Sequence, residues 1–154
     1  MLGPQWGIPV FLLDAAKGTA AALLTTNPVS QLAAGIASIL GHVFSPWVRF
    51  KGGRGVATSL GVFLAVLPWA TLVVFCFWIL LVLVSRRVSV GSVGAALVYP
   101  FLVIAFYAES PHRRLLLGAA VLVAILIVVR HIPNLKRLAS GTEPRTFGAK
   151  KANP

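Results

Sequence analysis

Residues 56–84 read VATSLGVFLAVLPWATLVVFCFWILLVLV, and whether they form one helix or two decides the architecture. One unbroken helix would be about 43 Å long at 1.5 Å rise per residue, well beyond the roughly 30 Å hydrocarbon core of a bilayer. Pro68 offers a break, because it lacks an N–H and clashes with the preceding turn. The cations arbitrate. With the break, and with both ends of the chain inside, the inner loops hold Arg49, Lys51, Arg54, Arg86, Arg87, Arg130, Lys136, Arg137, Arg145, Lys150 and Lys151, against Arg113 and Arg114 outside. Without it the split reverses, to five (Arg49, Lys51, Arg54, Arg113, Arg114) against eight. The positive-inside rule selects two spans, from the loop to Leu67 and from Trp69 to Val84.

The remaining apolar runs fit the same plan. They are Trp6 to Leu24, Val29 to Val43 with Pro28 set to start it, Val88 to Tyr107, and Leu115 to Val129. The expected fold is therefore all-α: a polytopic membrane bundle of about six transmembrane helices, with one membrane domain over residues 1–138 and a disordered cytoplasmic tail over 139–154. Composition agrees. The chain has 154 residues, 58% of them hydrophobic and only 11% charged, so a soluble domain is excluded. The net charge of +11 would suggest nucleic acid in a soluble chain. Here the cations sit in short loops between spans, so membrane orientation, anionic lipids and anionic substrates explain them better. The single Cys76 lies within an apolar run and has no partner for an internal disulfide.

Chemistry concentrates in Gly41 to Ser59, GHVFSPWVRFKGGRGVATS. Glycines let backbone N–H groups converge on an anion, and the helix that follows adds the positive end of its dipole. Lys51 and Arg54 supply full charge, Gly52, Gly53 and Gly55 close backbone approach, and Thr58 a hydroxyl. The stretch reads as a phosphate-binding loop at the membrane surface; a solvated basic turn would not need three glycines in four residues. Arg49 reads as a topological charge. His42 arrives at the loop from the preceding run and is a candidate phosphate contact. Ser89 and Ser92 open the Val88 run at the same level, suited either to close helix packing or to lining an anion pocket. Asp14 and Lys17 share a helix face at membrane depth and read as a structural pair. Further on, His131 and Asn134 sit three apart below the last span, so a helix there would aim both into one pocket. No metal-ligand set and no G-x-x-x-x-G-K-[ST] nucleotide loop is present.

Two stretches, GHVFSPWVRFKGGRGVATSLG (Gly41 to Gly61) and RHIPNLKRLASGTEP (Arg130 to Pro144), resemble the central and C-terminal motifs of the bacterial acyl-phosphate glycerol-3-phosphate acyltransferases. LLDAAKG (Leu12 to Gly18) and SRRVSVGSVGAA (Ser85 to Ala96) resemble the corresponding stretches of that family. The resemblance implies a multi-pass enzyme of the bacterial inner membrane with its active site facing the cytoplasm. It would move an acyl group from acyl phosphate to the 1-hydroxyl of glycerol 3-phosphate, giving lysophosphatidic acid, with no cofactor and with neither acyl-CoA nor acyl carrier protein used directly. It implies catalytic roles for His131 and Asn134, phosphate binding at Lys51 to Thr58, and a structural role for Glu143. The family has seven spans, the first followed by a motif rich in Ser, Gly, Asn and Arg that contributes to the site. The resemblance here begins just after that motif, so little or no activity is expected of a chain that starts at Met1. A rival of another class is a transporter or channel for phosphorylated solutes, which would need polar residues through the bilayer.

Overall fold

The computed structural model describes residues 6–50 and 52–146. They form six α-helices: α1 (Gly7–Leu23), α2 (Pro28–Val43), α3 (Val56–Val66), α4 (Pro68–Ser85), α5 (Val88–Phe106) and α6 (Arg113–Ala139), with a 3-10 turn at Pro46–Val48. No strand occurs among the described residues.

The break that the opening stretch required falls at Leu67. This single residue leaves helical geometry (φ −133°, ψ 59°) between the last turn of α3 and Pro68 at the start of α4. The freed backbone is satisfied locally: Leu67 N–H donates to the Phe63 carbonyl, and Thr71 Oγ1 donates to the Leu67 carbonyl at 2.8 Å. Tyr99 of α5 then donates its hydroxyl proton to Thr71 Oγ1, also at 2.8 Å, because the threonine's own proton is already committed. The corner is thus sealed from within, as a bundle in lipid demands.

Pro28–Val48, α4, α5 and α6 are long and apolar enough to cross a membrane. Two of the six expected spans are shorter. At 1.5 Å per residue, α1 reaches about 26 Å and α3 only about 17 Å. The glycine loop delays the start of α3 and Pro68 ends it. α3 compensates by burial: Thr58, Ser59, Gly61, Val62 and Phe63 are all inside the protein. α6 exceeds expectation. It continues past Val129 for ten more residues, carrying Arg130, His131 and Asn134 on helical backbone despite Pro133.

α1 and α3 touch backbone to backbone. A Cβ built on Gly61 would lie 1.9 Å from the Ala15 carbonyl oxygen, and one on Gly18 would lie 2.2 Å from that of Thr58. Small residues at such a crossing are the usual means of association in lipid, where no hydrophobic drive separates helix from solvent. Thr19 Oγ1 adds a 2.9 Å bond to the Gly61 carbonyl. Gly61→Ala is expected to destabilise the protein by about 2–3 kcal/mol, because the obstacle is backbone and cannot rotate away. Thermal unfolding in detergent checks this; a midpoint within a degree of wild type would contradict the crossing.

Short connections make successive helices run in opposite directions. The α2–α3 loop, the α4–α5 link and the end of α6 therefore meet at one end of the bundle. The segment after α6 is docked there. Gly141 takes a left-handed φ of 72°, and Thr146 N–H donates to the Arg86 carbonyl at 2.8 Å. Residues 140–146, placed in a disordered tail by the sequence reading, are thus held against the bundle. Residues 147–154 lie outside the described residues.

Candidate active site

The loop and the C-terminal motif meet. Arg130 Nη2 donates to the Gly52 carbonyl at 2.8 Å and to the Gly53 carbonyl at 3.3 Å, tying α6 to the glycine loop. The cationic stretch and the His131–Asn134 pair are therefore at the same end of the bundle. Lys51 itself lies outside the described residues.

The loop has the form of an anion cradle. Gly55, at φ 81°, turns the chain into α3 in a conformation that L side chains rarely adopt. Among the described residues, no backbone N–H from Gly53 to Thr58 donates to a protein acceptor; the first bond of the helix is Ser59 N–H to the Gly55 carbonyl. α3 has no side-chain cap. Unpaired amides followed by an uncapped helix N-terminus favour an anion by geometry and by dipole. The hydroxyls of Thr58 and Ser59 are buried and have no partner among the described residues. Upstream, Arg49 and Phe50 both sit at left-handed φ (53° and 61°), a strained pair for non-glycine residues and a common mark of functional loops.

Arg54 is exposed, yet partial desolvation lowers its pKa, and Glu143 opposes that shift while Arg137 and Arg130 reinforce it. A guanidinium remains charged under these conditions. Its surplus of cationic neighbours leaves it suited to a further anion.

His131 is 1% exposed, and its Nδ1 lies 2.8 Å from the Ile127 carbonyl. A carbonyl can only accept, so Nδ1 carries the proton and neutral His131 offers Nε2 as a base. One turn on, Asn134 donates its Nδ2–H to Glu143 Oε1 at 2.8 Å. This leaves the Asn134 carbonyl oxygen to accept from a ligand. Ser89 donates to the same carboxylate oxygen at 2.8 Å, and Arg137 Nε donates to Oε2 at 2.9 Å. Burial alone would raise the Glu143 pKa. The bonds from Asn134, Ser89 and Arg137, with the charge of Arg137, outweigh it and hold the carboxyl below its ordinary value. Glu143 thus staples α5, α6 and the following segment, in keeping with a structural role.

Ser89 and Ser92 diverge. Ser89 belongs to the Glu143 cluster, whereas Ser92 is nearly a turn deeper and accepts from Trp78 Nε1 at 3.3 Å. On the other side of the loop, Lys17 Nζ lies 3.1 Å from His42 Nδ1 and 3.4 Å from Asp14 Oδ1, and His42 Nδ1 lies 3.3 Å from that oxygen. Lys17 and His42, with Ser38, Ser45, Gly52 and Gly53, line a pocket beside the loop. His42 bears directly on the loop: a Cβ on Gly53 would fall 2.0 Å from its Nε2. Gly53→Ala is expected to raise the KM for a phosphate substrate about tenfold with a smaller change in kcat, since either the loop or the imidazole must move. Steady-state kinetics decide it, and an unchanged KM would remove the loop from the site.

An apolar cavity of about 70 Å³ lies inside the bundle beside the start of α3. Phe11, Phe63, Phe75, Trp78 and Tyr99 line it, with Ser59 and Ser92 among its few hydroxyls. Nothing in the hydropathy of α4 and α5 distinguishes these positions from lipid-facing ones, so the sequence reading missed them. The nearest signal was the density of aromatics in α4.

The chain was compared with known proteins. A family model described as glycerol-3-phosphate acyltransferase matches residues 1–141. The glycerol-3-phosphate acyltransferase of Trichlorobacter lovleyi is 44% identical over 149 residues, covering 94% of this chain and 74% of that protein. That of Geobacter sulfurreducens is 38% identical over 148 residues, with 94% and 74% covered. Among solved structures, PlsY, an integral membrane glycerol 3-phosphate acyltransferase, matches in its glycerol 3-phosphate form with a TM-score of 0.84 and 38% identity, over 96% of this chain and 74% of that one. Its lysophosphatidic acid form gives 0.82 and 37%, over 95% and 74%. With an all-helical membrane bundle, a loop of free amides and a buried His–Asn pair beside it, the chain belongs to the glycerol-3-phosphate acyltransferase family.

Proposed function

We propose that this protein transfers a fatty acyl group from acyl phosphate to the 1-hydroxyl of glycerol 3-phosphate, releasing lysophosphatidic acid and phosphate. The observation that supports this reading is the bond from Arg130, the neighbour of the buried His131, to the Gly52 and Gly53 carbonyls of the glycine loop. An acyl phosphate is already activated, so no covalent enzyme intermediate is required. The hydroxyl oxygen attacks the acyl carbonyl, the carbon–oxygen bond to phosphate breaks, and the hydroxyl proton passes to His131 Nε2 or to the departing phosphate. The chain's task is to hold two anions together, which raises their effective concentration, and to offset their repulsion with cations and amides. Arg54, Gly52, Gly53, Gly55 and Thr58 hold phosphate in this reading, joined by Lys51. The apolar cavity takes a few methylenes of the acyl chain, each adding about 0.8 kcal/mol to binding. In this reading the site faces the cytoplasm at the bacterial inner membrane, which the cations gathered at one end support.

Far from the glycine loop, the buried Thr71–Tyr99 pair has its protons committed within the protein, and that disfavours a transport path. The test is a membrane assay with labelled glycerol 3-phosphate and either acyl phosphate or acyl-CoA. Labelled lysophosphatidic acid is expected with acyl phosphate alone. Product from acyl-CoA alone would overturn the assignment of the donor, and product from neither would overturn the reading.

A further inference from the structure

We propose that Arg130 is a positioning residue for the glycine loop, aiming its amides at the phosphate. By sequence Arg130 is one inner-face charge among many, and such a residue ordinarily extends its head group to water. Here it is half-buried and spends both hydrogens of Nη2 on two consecutive backbone carbonyls, those of Gly52 and Gly53. The nearby carboxylate does not claim it: Glu143 is already engaged by Ser89, Asn134 and Arg137.

The consequence follows from peptide geometry. In a trans peptide the N–H points opposite to the carbonyl of the preceding residue. Holding the Gly52 and Gly53 carbonyls on Arg130 therefore turns the N–H groups of Gly53 and Arg54 away from it, side by side. Those amides have no protein acceptor among the described residues. The same bonds tie off two carbonyl dipoles that would otherwise repel an anion entering the loop. On the opposite flank the loop rests against α2, where Cβ atoms on Gly52 and Gly53 would strike the carbonyl and the ring of His42. With no side chain of their own to fix them, the two peptide units are oriented by Arg130 on one side and by α2 on the other. Because His131 is the next residue, the contact also sets the distance between loop and base.

This inference rests on the reading of the loop as a phosphate site, so its test carries a control for that reading. Binding of glycerol 3-phosphate and of inorganic phosphate is measured by calorimetry on the full chain in detergent, for wild type, Arg130→Met, Arg130→Lys and Arg54→Ala. Amide hydrogen exchange over the loop is followed at saturating glycerol 3-phosphate. Arg130→Met is expected to weaken binding about tenfold or more, as loss of charge-assisted hydrogen bonds would, and to abolish ligand-induced protection of the Gly53 and Arg54 amides. Arg130→Lys, which keeps charge and donors at shorter reach, is expected to restore both in part. Weakened binding with protection intact would show that Arg130 acts by charge alone and overturn the proposal. Unchanged binding in Arg130→Met, with a loss in Arg54→Ala, would overturn the proposal and leave the phosphate loop standing. No loss in either variant would overturn both. Should Arg130→Met fail to fold, Arg130→Lys against wild type decides by the same protection difference, and full protection there counts against the proposal.

Discussion

His131→Gln is expected to lower kcat by about a hundredfold or more, with KM for glycerol 3-phosphate changed much less. A positioned general base contributes about 10²–10⁴-fold to rate. The side chain is buried and its Nδ1 proton is committed to the Ile127 carbonyl, so Nε2 is the nitrogen left to accept the substrate's proton. Glutamine fills similar space and can still donate to that carbonyl, but it is no base at neutral pH. Steady-state kinetics with acyl phosphate, beside a thermal unfolding curve, separate chemistry from folding. A loss of less than tenfold would take His131 out of the proton's path and leave the departing phosphate as the acceptor.

Glu143→Ala is expected to cost about 3 kcal/mol of stability and to lower kcat/KM about tenfold or more. The carboxylate is the acceptor for three donors, from Ser89, Asn134 and Arg137. Removing it strands the first two in a buried setting, which is the expensive way to break a hydrogen bond. Arg137 is half-exposed and can turn to water, so it adds little to the cost. Activity falls because Asn134 loses the contact that orients its amide toward the pocket. The pH dependence has a definite sign. The folded state holds the Glu143 carboxyl below its ordinary value, so its contribution is present in full above the ordinary carboxylate range. It is lost as pH falls through the depressed folded value. Wild type should therefore lose midpoint temperature on acidification more steeply than Glu143→Gln. Parallel curves would show that the carboxylate is not ionised in the fold.

Much of the candidate site was legible in advance because its residue types are out of place. Glycines crowded against cations between apolar runs have few structural uses, and a His and an Asn three apart below a span fall on one helix face. The partners of those residues were less visible. Glu143 was expected to serve structure, but its three donors come from positions as far apart as Ser89 and Arg137. The contact of His42 with Gly53, and the pairing of Lys17 with His42 as well as Asp14, depend on how α1 and α2 cross. The apolar cavity was invisible, since a side chain that lines a slot and one that faces lipid have the same hydropathy.

What the chain's own order of residues determined is the class of fold, the break at Pro68, the grouping of the cationic loops at one end and the two motifs. Each is a local or additive property: a missing N–H, a count of charges, a run of apolar side chains long enough for a bilayer. What only the tertiary structure decided is which groups meet and which atoms are left unpaired. The bond from Arg130 to the Gly52 and Gly53 carbonyls joins residues far apart in the chain, and the free Nε2 of His131 depends on which carbonyl its ring meets. Such pairings arise when helices pack at backbone contact, as Gly18 and Gly61 allow, and neither periodicity nor composition encodes the angle at which they cross.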